Sequence, residues 1–232
     1  MKRTKELYWR DIVVIVCIGG FFFGCIASSV RTAKTLHAGQ ASIGASYLRA
    51  EDAERSGQTP VQLLSIDGRI GITKGLDGGI MHTWDLTQDN ENKFATIWGD
   101  VKWQLTNLDN SIGKPILSLG LMKGYVYDES AKFHITTLPI MLSVRVSDYV
   151  TPTLTYRHEL ISEDFIPQSL EDPRSSWLMG VEIALTKPDE TNWMPKVGFA
   201  IGTFNSLMGG SSGDRGLVFN VGLTVDSPWS LK

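Results

Sequence analysis

Residues 94–106 alternate between apolar and polar side chains, and this alternation is the clearest structural signal in the chain. One parity is apolar or small and the other is polar, with Asp100 and Lys102 near its middle. Because successive side chains of a strand point to opposite faces, the segment predicts a strand with one apolar and one polar face. Strands of soluble proteins are commonly about five or six residues long, whereas roughly ten alternating residues cross a bilayer at a tilt.

The same alternation recurs along the chain and predicts ten strands separated by polar or glycine-containing turns. The predicted ranges are 40–50, 61–73, 78–86, 94–106, 115–127, 132–146, 150–160, 177–186, 193–204 and 216–225. Residues 74–77 predict a tight turn. Pro139 predicts a β-bulge in the sixth strand, because proline donates no hydrogen bond to the ladder. The fifth strand has no clear outer face, since Lys123 shares its parity with three leucines.

This pattern favours an all-β fold: a closed antiparallel up-and-down transmembrane β-barrel of about ten strands, after an N-terminal signal segment. A chain of 232 residues is ample for one such barrel. The predicted organisation is a signal peptide or anchor at 1–24, a linker at 25–38, the barrel at 39–226 and a C-terminal tail at 227–232. Aromatic residues near the strand ends fit interfacial girdles, although the core of a soluble sandwich explains them nearly as well.

The first residues have the pattern of a secretory signal. Four basic residues lie within the first ten, and an uncharged apolar run follows at 12–23. Residues 22–25, Phe-Phe-Gly-Cys, resemble a bacterial lipobox, which would make Cys25 a lipidation site. Phe22 departs from that pattern, in which leucine is usual. Ordinary cleavage after Ala27 and an uncleaved anchor are the alternatives.

Charge and cysteine content narrow the classes of partner. The only cysteines are Cys17 and Cys25, so a disulfide framework or a thiolate metal site in the body of the chain is excluded. Without residues 1–24, the chain has 18 basic and 23 acidic residues, a net charge of about −5. A mildly acidic body with no basic tract argues against nucleic acid as a partner. No cofactor is expected.

Residues 32–40, Thr-Ala-Lys-Thr-Leu-His-Ala-Gly-Gln, lead into Ala-Ser-Ile-Gly-Ala-Ser-Tyr at 41–47. This stretch resembles the segment that opens the first strand of many small bacterial outer-membrane β-barrel proteins. The resemblance implies an outer-membrane location with a periplasmic N-terminus, contact with outer-membrane lipid, and folding by the barrel assembly machinery. Many members end on an aromatic residue. This chain departs from that pattern, since Trp229 is followed by three more residues.

A set of charged side chains on the polar parity of the strands is the candidate site. Its members are Asp67, Arg69, Asp100, Lys102, Arg145, Arg157, Glu159, Glu182 and Lys196. The acids and bases nearly cancel, so a narrow barrel could fill its lumen with a paired network. A polar path for small solutes is the alternative. We favour the filled lumen, because about eight to ten strands leave a tight interior.

The sequence gives no catalytic or metal site. His158 and Glu159 are the one tempting acid–base pair, but adjacent strand residues point to opposite faces. His37, His82 and His134 lack metal-ligand spacing. We therefore predict a non-catalytic outer-membrane barrel with a structural role or a role in small-solute passage. The alternatives are a soluble periplasmic lipoprotein whose barrel or sandwich binds an apolar ligand and, third, an outer-membrane lipid-modifying enzyme.

Overall fold

The computed structural model describes residues 31–52, 60–87, 95–127, 132–161, 174–188, 191–205 and 215–228. The predicted signal segment, Cys25 and Trp229 lie outside these residues. The described residues form ten strands: β1 Ala41–Asp52, β2 Val61–Thr73, β3 Leu76–Asp85, β4 Ala95–Gln104, β5 Pro115–Tyr127, β6 Lys132–Val144, β7 Val150–Ile161, β8 Arg174–Ala184, β9 Met194–Asn205 and β10 Arg215–Asp226. Within the described ranges, no helix is long and apolar enough to span a membrane.

Each strand pairs antiparallel with its neighbour in sequence, and β1 pairs with β10, so that the sheet closes. The predicted closed antiparallel barrel of ten strands is therefore confirmed. Closure leaves no unpaired strand edge. We call the end of the barrel that holds Ala41 and Asp226 the turn end, and the opposite end the loop end. The chain passes from β1 to β2 at the loop end and from β2 to β3 at the turn end.

Two local predictions are wrong. Asp77 was predicted in a turn but belongs to β3, because residues 74–75 complete the turn with Gly75 at a φ of 84°. Pro139 causes no bulge, since the β5–β6 register is the same before and after it. The proline ring packs over Gly120, where a Cβ atom would lie 2.6 Å from the Pro139 Cγ. The missing side chain of the partner strand thus gives the ring room.

The outer surface of the barrel is apolar and the inner surface is polar. In β4, Ile97 and Trp103 are 51% and 61% exposed, whereas the alternating Asp100 and Lys102 are buried. The same arrangement extends around the barrel to exposed residues on other strands, among them Ile43, Ile70, Ile80, Ile140, Met179, Ile201 and Leu223. Lys123 shares the exposed face of β5 with Leu119 and Leu121. A soluble barrel would have the reverse arrangement, with its apolar side chains inside.

Residues 31–38, part of the predicted linker, enter the barrel: residues 31–36 lie inside it, and residues 37 and 38 are exposed where the segment leaves it at the turn end. Ala33 has no exposed surface, and Thr32 and Thr35 are each 4% exposed. We call this segment the plug. It fills the half of the lumen that is nearer the turn end, and it is therefore the feature around which the inward-facing side chains are arranged.

Candidate functional site: the plugged lumen

The plug runs along the barrel from the middle of the lumen to the turn end. At the turn end, the Gly39 amide donates to the Gly71 carbonyl and the Gly71 amide donates to the Gln40 carbonyl, both at 2.8 Å. At the other end of the plug, the Arg31 guanidinium contacts the carboxylate of Asp100, in β4, at 2.5 Å. The described chain therefore begins inside the lumen and leaves it at the turn end to start β1.

Side chains of β5 and β6 bind the plug backbone at Ala33. The Ala33 amide donates to Ser143 Oγ at 2.8 Å, and Ser118 Oγ donates to the Ala33 carbonyl. Both serines are buried, and the Ala33 side chain packs against Ile116 and Met141. In the sequence, each of these serines is only a small polar residue within a strand. The structure shows their common role, which is to hydrogen-bond to the backbone of Ala33.

Side chains of β3 and β4 bind the next part of the plug. The Thr35 amide and hydroxyl both donate to Gln104 Oε1 at 2.8 Å. The Leu36 amide donates to Asp77 Oδ2 at 3.1 Å. Gln104 and Asp77 are fully buried, so each needs hydrogen-bond donors from the protein. The plug supplies these donors, and both side chains would lose them if the plug left.

Lys102 attaches the plug at a third place. Its ammonium group donates to the carbonyls of Thr32 and Lys34, at 3.1 and 2.6 Å, and lies 3.4 Å from Asp77. A buried ammonium needs several acceptors to offset its lost hydration. The plug backbone supplies two of them, and the strand wall supplies a carboxylate.

An ion-pair network joins the plug to the wall of the lumen. Arg69 pairs with Asp77, and it pairs with Asp100 at 2.6 Å. Asp100 in turn pairs with Arg31 of the plug. Asp67 is buried on the same strand as Arg69 and faces Gly44, where a Cβ atom would lie 2.7 Å from the Asp67 carboxylate. The structure thus brings together four of the predicted residues, namely Asp67, Arg69, Asp100 and Lys102.

A second network lies on β8, β9 and β10. Lys196 pairs with Asp226 at 2.6 Å and with Glu182 at 3.4 Å. Glu182 and Lys196 were among the predicted lumen charges. Asp226 was missed because it follows the predicted end of the last strand, whereas β10 includes it and pairs it with Ser42 of β1.

The remaining predicted charges lie apart from these two networks. Arg145 donates to the carbonyl of Asn110 at 2.7 Å and pairs with Asp148 at 3.1 Å, so it ties two turns together at the turn end. Arg157 lines a cavity at the inner end of the plug, and Glu159 is two residues further along β7. Sequence reasoning therefore identified strand charges but missed Arg31, Asp77 and Asp226, which link them.

The cavity beside Arg31 is small. Its volume is about 30 Å³, and its lining includes Asp100, Met122, Arg157 and Asn220. A water molecule needs roughly 10–15 Å³ of such space. The cavity thus has room for about two waters and none for a solute the size of a sugar.

In the described residues, the outer face and the turns add no group of side chains that could carry out a reaction. His158 is opposite Leu138 and Glu159 is opposite Thr137, on alternating faces of β7, so the two side chains diverge. In the part of the chain that the structure describes, no group of three or more His, Cys, Asp or Glu side chains could hold a metal ion.

The exposed pair of Lys74 and Asp109 connects two further turns outside the strands. Lys74 donates to Asp109 at 2.6 Å, and this hydrogen bond holds the pKa of the Asp109 carboxyl below its usual value. Both side chains are exposed, so the pair stabilises the turns only slightly.

Comparison with known proteins gives structural likenesses alone. No protein-family model matches the chain, and no curated protein matches it. The translocator domain of the autotransporter NalP from Neisseria meningitidis is similar, with 11% identity, coverage of 83% of this chain and 89% of that one, and a TM-score of 0.45.

Two further solved structures are similar. For Neisserial surface protein A, the identity is 13%, the coverage is 82% of this chain and 96% of that one, and the TM-score is 0.35. For the outer membrane protease OmpT from Escherichia coli, the corresponding values are 12%, 84%, 98% and 0.37. Identities and TM-scores this low do not carry a function over to this chain.

Proposed function

We propose that this protein is an integral barrel of the bacterial outer membrane, closed by its own plug, that passes small polar solutes only when the plug leaves the lumen. The observation that carries this proposal is the attachment of the plug to β3, β4, β5 and β6 by buried hydrogen bonds and ion pairs. With the plug bound, the role of the barrel is structural.

The membrane location is supported by the outer surface. Exposing large apolar side chains to water costs about 25 cal/mol per Å² of apolar area, a cost that contact with lipid removes. Trp84 and Trp177 lie on the outer face toward the loop end, and Trp103 and Trp193 lie toward the turn end. Two aromatic girdles that flank an apolar band are typical of membrane barrels. This surface argues against the soluble periplasmic alternative.

The orientation is supported by the lengths of the connections. The loop end has the connections 53–60, 86–94, 128–131, 162–173 and 206–214, and the turn end has 74–75, 105–114, 145–149 and 185–193, so the loop-end connections are longer on average. Bacterial barrels have short periplasmic turns and longer extracellular loops. The turn end, where β1 begins, therefore belongs on the periplasmic side.

Release of the plug is feasible because polar contacts hold it. Ala33 and Leu36 are its only buried apolar side chains in the described segment 31–38. Each neutral hydrogen bond contributes about 1 kcal/mol net, because water replaces it when the segment leaves. The lumen that the plug vacates would remain lined by Ser118, Ser143 and Gln104, which suit hydrated solutes.

We assign no catalysis to this barrel. Acid–base or nucleophilic chemistry needs partners within hydrogen-bond reach, and the tempting pair on β7 diverges. The charges of the two lumen networks pair with one another or with the plug, which is the arrangement of a structural network.

The test combines membrane fractionation with conductance in planar bilayers. The protein should fractionate with the outer membrane and change its electrophoretic mobility on boiling, because a closed barrel has no strand edge from which to unfold. Wild-type protein should be mostly closed. Arg31→Glu should open it, since a second carboxylate would face Asp100.

The matched control is Arg49→Glu, the same charge change at a half-buried residue of the outer face that pairs with Glu51. This control should stay closed. A soluble protein without a mobility shift would exclude the membrane proposal. A wild-type protein that conducts as freely as Arg31→Glu would exclude closure by the plug.

A further inference from the structure

A polar patch interrupts the apolar outer surface near the loop end. Lys123 and Tyr125 of β5 point outward, as does His134 of β6, which is the registered partner of Tyr125. Lys123 and His134 are exposed and Tyr125 is half-buried. None of the three makes a hydrogen bond or ion pair with another described residue.

Neighbouring rings hold this patch in a defined geometry. The rings of Tyr125 and His134 lie 5.0 Å apart, and those of Tyr125 and Tyr127 lie 6.1 Å apart in a stacked arrangement. Tyr127 Oη is 3.1 Å from Nε2 of His82, whose ring stacks on Trp84 at 4.2 Å. The ring cluster therefore extends from β3 to β6, which limits the motion of Tyr125.

Lys123 is unusual for its place on the barrel. It follows the exposed Leu119 and Leu121 along β5, so the lysine stands at the margin of the apolar band. A lysine that faces lipid is most unfavourable at the midplane of the membrane and less so near the interface. Its apolar stem can lie along the band while the ammonium reaches toward the ring cluster.

The outward-facing charge on β3 to β6 is positive. Among the described outward positions of β3, β4, β5 and β6, none is acidic. On β1, by contrast, the outward Arg49 pairs with Glu51 at 2.6 Å. Among the described residues, the barrel thus neutralises the outward Arg49 with a carboxylate of its own and places no carboxylate against Lys123.

We propose that Lys123, Tyr125 and His134 bind the phosphomonoester group of a membrane lipid in the leaflet at the loop end. An ammonium, a phenol and an imidazole offer three donors. A phosphomonoester has three acceptor oxygens and a charge of about −1.5 to −2 near neutral pH. Such charge-assisted hydrogen bonds are about twice as strong as neutral ones.

The source of the phosphate is a lipid and not the free ion. The patch adjoins Leu121 and the ring cluster, so an acyl chain of the same molecule can lie along the apolar band. This inference rests on the proposed membrane location.

The experiment measures lipid binding to the purified full-length chain in detergent by native mass spectrometry. The probes are lipid A, dephosphorylated lipid A, phosphatidylglycerol and inorganic phosphate. Wild-type protein should bind lipid A more tightly than the other three. Lys123→Gln and His134→Gln should each weaken this binding roughly 10- to 100-fold, because each loses a hydrogen bond to a charged group.

Lys114→Gln, at an exposed turn residue, is the matched control and should bind as the wild type does. The inference is overturned if lipid A and its dephosphorylated form bind equally, if phosphatidylglycerol binds as tightly, if inorganic phosphate displaces lipid A, or if Lys123→Gln retains wild-type affinity. A mobility shift on boiling, measured for each variant, separates this failure from a failure of the membrane proposal, in which the shift itself would be absent.

Discussion

Substitution of Gly71 by alanine should release the plug. A Cβ atom at this position would lie 1.9 Å from the carbonyl oxygen of His37 and 2.6 Å from its carbonyl carbon. Real Cβ atoms essentially never approach within 3.0 Å of such an atom. The obstacle is backbone and not a flexible side chain, so the plug must retreat by more than about 1 Å.

The size of the effect follows from the bonds next to the clash. A retreat of this size breaks the hydrogen bond from Gly39 to Gly71, at 2.8 Å, and the bond from Leu36 to the Asp77 carboxylate, at 3.1 Å. A neutral bond contributes about 0.5–1.5 kcal/mol and one to a charged group about 1.5–3 kcal/mol. The bound plug should therefore lose about 2–4 kcal/mol, which lowers its occupancy relative to the released state roughly 30- to 700-fold.

Single-channel recording in planar bilayers measures this occupancy as the open probability. Gly68→Ala is the matched control, because Gly68 is on the same strand and a Cβ atom there would meet nothing within 4 Å. The control should remain as closed as the wild type. If Gly71→Ala still folds, as shown by its mobility shift on boiling, and yet opens no more than the control, the reasoning about the plug is wrong.

Three further substitutions test the barrel itself. Gly124→Ala should destabilise it by about 1–3 kcal/mol in urea unfolding from vesicles, because a Cβ atom would lie 2.4 Å from the Trp98 ring. Ile97→Arg should reduce insertion into vesicles, since an arginine facing lipid costs about 2–4 kcal/mol near the midplane. Asp226→Asn should cost about 3–5 kcal/mol in the same unfolding assay, because Lys196 would keep only Glu182 as a paired carboxylate.

Each of these variants has a control on the same kind of site. Gly99→Ala should be nearly neutral, since nothing lies within 4 Å of its added Cβ atom. Ile97→Leu keeps an apolar side chain toward lipid and should insert normally. Asp148→Asn affects a partly exposed pair and should cost less than about 1 kcal/mol, because water screens such pairs. Equal losses in a variant and its control would show that the mechanism given for that variant is wrong.

Much of the barrel wall was predictable because apolar and polar side chains alternate along its strands. In residues 94–106, the two-residue period assigned Ile97 and Trp103 to the apolar face and Asp100 to the polar face, and the structure exposes the first two and buries the third. The period reports the face of a strand directly, since each residue turns the side chain by half a revolution. The number of alternating segments, separated by turns, also predicted the number of strands.

Features that depend on the partner strand were harder to predict from the sequence. The facing of β5 was ambiguous in sequence because Lys123 shares a parity with leucines, and the closed sheet places all of them outside. A bulge at Pro139 was a reasonable local inference, but the neighbouring Gly120 leaves space for the ring and the register continues unchanged. The sequence around a proline shows that one ladder hydrogen bond is missing, but whether the strand bulges depends on the space that the partner strand leaves for the ring.

The sequence by itself determined the ten strands of this protein, the faces of most of them and most of the charges on the inner surface. Only the tertiary structure decided that residues 31–36 occupy the half of the lumen nearer the turn end. The contacts that hold them join residues far apart, with Thr35 and Gln104 separated by 69 positions and Ala33 and Ser143 by 110. The plug forms no strand or helix that would give it a periodic pattern of side chains. Its backbone groups instead form hydrogen bonds with side chains of the barrel wall. Closure of the sheet is what brings those side chains around one segment.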